Sequence, residues 1–269
     1  MFMLNEIVEH KRLEVEEKKR NSPLSDLQGK LRDARPVRDF YSALKAPGIS
    51  LIAEIKKKSP SKGEFPNRLA AAELARLYSQ NGARAISVLA DEKYFGGGAH
   101  VVERVANDPS VHIPVMYKEF IIDPYQIYEA RSIGADAVLL IVRSIGDTSL
   151  LTEMIATAQD LGMDALVECF TAEEAAEAVI AKARIIGINN RDLQSFDVDL
   201  RRSEDIRSII PDTALTVSES GLATAADAVE AERRGFDAIL VGEALLKSND
   251  ITQQVRAFAG LEVSQHLKS

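Results

Sequence analysis

NGARAISVLA, residues 81–90, runs from a glycine through two residues and an alanine into a β-rich apolar stretch. Three other segments repeat the pattern: IGADAVLLIV (133–142), LGMDALVEC (161–169) and RGFDAILVG (234–242). It reads as a helix stopped by a glycine at its C′ position, then a short connection into a strand. A helical pattern precedes each segment: AAAELARLYSQ, PYQIYEARSI, LLTEMIATAQD and ATAADAVEAERR. Helix and strand therefore alternate, as in parallel sheets with crossover helices.

Working outward, SLIAEIK (50–56), IPVMYKEF (113–120), ARIIGINN (183–190) and ALTVSES (214–220) supply four further strands. Eight strands beginning roughly 20–35 residues apart predict an α/β fold, a (β/α)8 TIM barrel. A doubly wound open sheet rarely needs eight evenly spaced units. No Pro/Gly/Ser linker divides the chain, so the expected organisation is a single barrel domain over 1–269. Its first 48 residues form an N-terminal helical extension, expected to pack one or two helices on the barrel.

Composition narrows the function. The chain has 269 residues, 46% hydrophobic and 28% charged, ample for a sizeable core. There is no apolar run of membrane-spanning length, and the charged start MFMLNEIVEHKRLEVEEKKR lacks a signal-peptide pattern. A single cysteine, Cys169, excludes an internal disulfide and fits a reducing compartment, so the expected location is cytoplasmic. A net charge of -8 argues against nonspecific nucleic-acid binding, and an anionic ligand would need a local cationic site.

In such barrels chemistry sits at the C-terminal ends of the strands. Here those ends are polar: Glu54 and Lys56 on the first strand, Lys118 on the third and Glu168 on the fifth. Asn189 and Arg191 end the sixth, and Glu219 and Ser220 the seventh. Any one of them alone reads equally well as a solvated rim residue or half of a local salt bridge. Barrel interiors are normally filled with Val, Ile and Leu, and an unpaired charge there costs several kcal/mol. Three carboxylates and two lysines at matching depth therefore suggest a preorganised acid/base site, without deciding which group plays which part.

Strands seven and eight close with SESGLAT (218–224) and VGEALLK (241–247). Phosphates bind barrels at the loops after these strands, where Gly221 and Gly242 permit close backbone approach and Ser220 adds a hydroxyl. Other features read more plainly. The GGG at 96–98 lacks dinucleotide-loop spacing and reads as a flexible loop; Phe95 before it is either a ligand stack or a loop anchor. His10, His100, His112 and His266 have no zinc-ligand spacing, so no metal is expected. Cys169 should point opposite to Glu168, into packing.

AEIKKKSPSKG (53–63) resembles the signature of the indole-3-glycerol-phosphate synthase family, tryptophan-pathway (β/α)8 enzymes. The resemblance continues through SVLADEKYFGG (87–97), YKEFIIDPYQIYEAR (117–131), ADAVLLIVR (135–143), LVEC (166–169), IGINNRDL (186–193), SESG (218–221) and VGEAL (241–245). It implies ring closure of 1-(2-carboxyphenylamino)-1-deoxyribulose 5-phosphate with loss of carbon dioxide and water. On that resemblance Lys118 is the general acid, Glu168 its acid/base partner, and Lys56 the pair of an anionic part of the substrate. Glu54, Asn189 and Glu219 orient these groups, and Arg191 supports the mouth. Ser59, Ser220, Gly221, Gly242 and Glu243 contact substrate or phosphate, while Phe95 and Leu140 line the anthranilate pocket.

The chain departs from the family pattern in three places. Lys58 stands in a slot that is often Ala, Ser or Thr; EFPNRLAAA (64–72) lacks the usual acidic Phe-Asp-Pro core; and Glu243 replaces a Ser found in some relatives. The resemblance implies no cofactor and a small anionic phosphorylated substrate, with neither nucleic acid nor membrane as partner. A monomer is expected, with association with other tryptophan-pathway enzymes left open. Two competing readings are a phosphoribosylanthranilate isomerase and a barrel that only binds a phosphorylated ligand or a protein. The isomerase needs a Cys base ending strand one and an Asp on strand six, where this chain has Lys56 and Asn189. The Lys118/Glu168 pair argues against the silent barrel.

Overall fold

The four repeat glycines take left-handed backbone, with φ of 102° at Gly82, 93° at Gly134, 77° at Gly162 and 82° at Gly235. Only glycine adopts this conformation without a Cβ penalty. The next residue then bonds back across the helix end, Ala135 N–H to the Ala130 carbonyl (3.0 Å) and Met163 N–H to that of Ala158 (2.9 Å). Lys182 closes the same loop at φ 60° without being glycine, with Ala183 N–H on the Ala178 carbonyl at 3.0 Å. Lys182 is exposed. Lys182→Gly is therefore expected to stabilise the protein by about 0.5–1 kcal/mol, read as a higher denaturant midpoint at unchanged slope.

The computed structural model describes residues 2–60, 62–66, 69–191 and 202–261. His266, Asp192 and Leu193 of the IGINNRDL motif, and Asn67 and Arg68 of the 64–72 stretch lie outside the described residues. The repeats lead into eight parallel strands: β1 (Ser50–Ile55), β2 (Ala85–Leu89), β3 (Val115–Lys118), β4 (Ala137–Ile141), β5 (Asp164–Cys169), β6 (Ile185–Asn189), β7 (Leu215–Glu219) and β8 (Ala238–Val241). They close into a barrel, with Ile52 of β1 in register with Leu240 of β8 on one side and Ala85 of β2 on the other. The fold is the expected (β/α)8 barrel.

Three helices precede β1 rather than one or two: α1 (Phe2–Asn21), α2 (Leu24–Lys30) and α3 (Phe40–Leu44). The last was hidden by its brevity. Phe40 and Leu44 of α3 are fully buried in the cluster that fills the barrel interior with Ile52, Ala85, Met116 and Ile185. They floor the barrel opposite its mouth. After β1 come α4 (Ala71–Gln80), α5 (Ala99–Ala106), α6 (Pro124–Ser132), α7 (Val142–Ile145), α8 (Thr148–Asp160), α9 (Ala172–Ile180), α10 (Arg202–Arg207), α11 (Ala225–Arg233), α12 (Glu243–Leu246) and α13 (Ile251–Phe258). Helix starts follow capping chemistry: Asp123, Asp147, Thr171 and Asp250 each accept a first-turn N–H. Among the described residues no helix is long and apolar enough to cross a membrane.

The polar residue before each repeat alanine also has a job. Asp136 Oδ2 accepts from Arg35 (2.6 Å), Arg38 (3.2 Å) and Val115 N–H (2.8 Å), so the extension is tied beneath β3 and β4. Asp237 accepts from Thr216 N–H at 2.7 Å, Asp164 from Tyr41 N–H at 2.9 Å, and Arg84 donates to the carbonyls of Ala46 and Pro47. This slot bonds each strand's start to a neighbouring element.

Candidate active site

Alternation along β1 sends Leu51, Ala53 and Ile55 to the helix layer and Ile52 and Glu54 into the barrel. The same parity brings Lys118, Glu168 and Asn189 to the mouth of a cavity of about 430 Å³. Its wall also contains Lys56, Ser59, Phe95, Arg191, Ser220, Gly221, Gly242 and Glu243. Glu219 lies just behind that wall, 1% exposed.

Lys118 Nζ sits 3.3 Å from Glu54 Oε2 and 3.3 Å from Glu219 Oε2, and Lys56 pairs with the other oxygen of Glu54. Burial opposes the charge on Lys118, but Glu219, Glu54 and Glu168 outweigh it and hold the ammonium above the ordinary lysine range. Burial likewise works against the Glu54 charge, yet Lys56 and Lys118 bring its pKa down to about 2. Glu219 behaves oppositely. Burial, then the negative charge of neighbouring Glu168, push Glu219 well above the usual carboxylate range despite Lys118. Glu219 therefore resists ionisation, while the Glu54 anion and the Lys56 and Lys118 cations stand next to it.

At the opposite end, Ser220 (φ 67°) and Gly221 (φ 81°) both take left-handed backbone after β7. Asn190 holds that turn, donating from Nδ2 to the carbonyls of Glu219 (2.9 Å) and Ser220 (3.0 Å) and to Ser218 Oγ (3.1 Å). Gly242 caps α12, whose first turn opens onto the cavity beside them. The Glu243 side chain faces cations, Lys247 at 2.8 Å, Arg191 at 3.3 Å and Lys62 at 3.9 Å, which leaves the backbone to meet an anion.

A family model described as indole-3-glycerol phosphate synthase matches residues 4–258. The chain belongs to the indole-3-glycerol phosphate synthase family. Proteins of that name from Roseiflexus castenholzii and Dehalococcoides mccartyi are 45% and 42% identical over 265 and 257 residues. The alignments cover 96% and 95% of this chain, and 98% and 99% of the relatives. Among solved structures, 3-hexulose-6-phosphate synthase superposes with a TM-score of 0.62 at 17% identity, covering 79% of this chain and 99% of that one. Thiamine phosphate pyrophosphorylase from Pyrococcus furiosus gives 0.59 at 15% identity, covering 82% and 96%. These two share the barrel alone.

Set against the synthase motifs, two expectations need correction. Leu140 does not line the cavity: it faces outward on β4, wholly buried in the layer between barrel and helices with Val138 and Leu151. Strand alternation places Leu139 and Ile141 at the cavity instead. The 96–98 glycines form a tightly packed turn, not a slack one, because a Cβ on Gly97 would overlap the Leu89 carbonyl. Of the three lysines at 56–58 only Lys56 reaches the cavity; Lys57 is exposed, and Lys58 pairs with Glu64 in a short antiparallel ladder.

Sequence reasoning missed Phe120, two residues beyond Lys118, which reaches the cavity with its ring 6.0 Å from that of Phe95. It also missed Leu4 and Ile7 of α1 at the same wall. Gly187, on β6 beside Glu168, was hidden in a strand. A Cβ there would overlap Glu219 Oε1, as one on Gly242 would overlap Glu54 Oε1. Each glycine makes room for a carboxylate. Gly187→Ala is expected to lower kcat by about 10- to 100-fold through displacement of Glu219, with stability falling by about 1–3 kcal/mol. Steady-state kinetics and a denaturant titration would check both parts.

Proposed function

We propose that the chain closes 1-(2-carboxyphenylamino)-1-deoxyribulose 5-phosphate to indole-3-glycerol phosphate, releasing carbon dioxide and water, at the mouth built on Lys118, Glu54 and Glu168. The observation carrying this reading is a charged lysine between two carboxylates, with an aromatic wall on one side and a glycine-rich anion end on the other. The substrate has the same layout: an aromatic acid, a carbonyl carbon and a phosphate.

The ring carbon bearing the carboxylate attacks the carbonyl carbon, and the electron pair of the C=O bond moves to oxygen. Lys118 gives that oxygen its proton. Its carboxylate neighbours hold that proton firmly, so it moves only as the oxygen gains negative charge. Loss of carbon dioxide returns an electron pair to the ring, and Glu168 handles the proton transfers that expel the hydroxyl as water. Glu219, whose burial disfavours its charge, orients Lys118 at 3.3 Å and stands beside Glu168. Glu54 fixes the two lysines, Lys56 meets the substrate carboxylate, and Asn189 and Ser59 meet its hydroxyls. Phe95 stacks at the ring, while Arg191, Ser220, Gly221, Gly242 and the Glu243 backbone receive the phosphate. The buried single cysteine and this biosynthetic chemistry support a cytoplasmic setting.

The test supplies this substrate to the purified chain and follows the fluorescence of indole-3-glycerol phosphate. Turnover is the expected result. Absence of turnover, with substrate intact by mass spectrometry, overturns the reading.

A further inference from the structure

We propose that Lys11, on the extension helix α1, is a positioning residue for the aromatic half of the active site, acting through Asp91 and Glu119. The proposal rests on the functional reading above and adds a residue to it.

Lys11 is only 1% exposed, and a lysine so buried is costly unless it is paired. Its ammonium lies 2.7 Å from Glu14 on its own helix, 3.2 Å from Asp91 and 3.1 Å from Glu119. The last two stand just past the ends of β2 and β3, and Glu119 adjoins Lys118. Each splits its carboxylate between Lys11 and the cavity wall. While Oδ2 of Asp91 faces Lys11, its Oδ1 accepts from the N–H groups of Tyr94 (2.6 Å) and Phe95 (3.1 Å). While Oε2 of Glu119 faces Lys11, its Oε1 accepts from Phe120 N–H at 2.6 Å. One ammonium therefore holds the two carboxylates that hold Phe95 and Phe120.

Leu4, Ile7 and Lys11 recur at helical spacing and share a face of α1, so the lysine that grips the barrel also sets where Leu4 and Ile7 close the cavity. Burial alone would lower the Lys11 pKa, but Glu119, Glu14 and Asp91 outweigh it and keep the group charged. Burial raises Glu119 to about 7 despite Lys11, with Asp91 adding to the rise. Without the ammonium Glu119 protonates more readily and becomes a weaker acceptor for Phe120 N–H. Independent ties elsewhere keep α1 docked: Lys18 to Glu129 at 3.0 Å and Lys19 to Asp123 at 2.6 Å. The phosphate end shares no residue with this cluster.

The experiment compares the wild-type chain with Lys11→Met, Lys11→Arg and Asp91→Asn. In Lys11→Met the substrate KM is expected to rise about tenfold, while the Ki of inorganic phosphate stays within about twofold. Amide hydrogen exchange at Tyr94, Phe95 and Phe120 accelerates about tenfold, and exchange at Val217 and Ile239 does not. Asp91→Asn moves the same quantities less, and covers the case in which the methionine variant fails to fold. Lys11→Arg, which keeps the charge, stays within about threefold of wild type. Unchanged KM and exchange in both neutralising variants overturn the proposal, as does a parallel rise in the phosphate Ki. The exchange measurement needs no substrate, so absent wild-type turnover sinks the functional reading while the clamp is still judged.

Discussion

Lys118→Ala is expected to lower kcat by at least two to three orders of magnitude, measured in single turnover with saturating substrate. That corresponds to about 3–4 kcal/mol of transition-state stabilisation. The size follows from what surrounds the ammonium. Its two nearest groups, Glu54 and Glu219, each lie 3.3 Å away, and the side chain is 16% exposed, so water is a poor substitute donor. The fold should survive the change, because Glu54 keeps Lys56 and burial already pushes Glu219 toward its neutral form. KM should move far less than kcat, since Lys118 acts on an oxygen whose charge develops only in the transition state. Lys118→Arg is not expected to rescue, because a guanidinium gives up its proton too reluctantly to serve as the acid. Turnover unaffected by Lys118→Ala would remove this lysine from the mechanism.

Asp136→Ala should produce the largest loss of stability, about 3–5 kcal/mol. The carboxylate is completely buried and gathers Arg35, Arg38, the Arg38 N–H and the Val115 N–H around two oxygens. Deleting it leaves two guanidinium groups close together without their anion, and one buried N–H at the start of β3 without its acceptor. Some compensation remains, because Arg35 also donates to the Ala106 and Gly134 carbonyls and Arg38 to that of Val111. Thermal unfolding should fall by about 6–20 °C for a chain of this size. Asp136→Asn retains an acceptor for an N–H and should lose less. A thermal midpoint within a degree of wild type for the alanine variant would contradict this account.

The two residues differ in how plainly the sequence announced them. Lys118 ends an apolar strand, where a charge is conspicuous. Asp136 occupies the middle of the repeat, where it passed as a connection residue. Its arginine partners are 98 and 101 positions away, and no local pattern points to them. Gly187 shows the same limit from the other side. A glycine inside a strand signals a close approach, but the approaching group, Glu219, comes from the next strand.

What the sequence alone determined is whatever has a short period. Glycine, two residues, alanine and an apolar run set four helix ends and four strands, and four further apolar runs supplied the rest of the eight. The period of two then placed Glu54, Lys118, Glu168 and Asn189 on the inner face. Leu140 is the one site assignment that ignored this parity, and it is the one the structure places elsewhere. Tertiary structure decided what depends on barrel closure and on the extension helix: Lys118 between Glu54 and Glu219, the raised pKa of buried Glu219, and Lys11 behind Phe95 and Phe120. The reason is physical. Periodicity is a property of neighbouring residues, whereas the charge state of a buried group depends on what lies within a few ångströms, however distant in sequence.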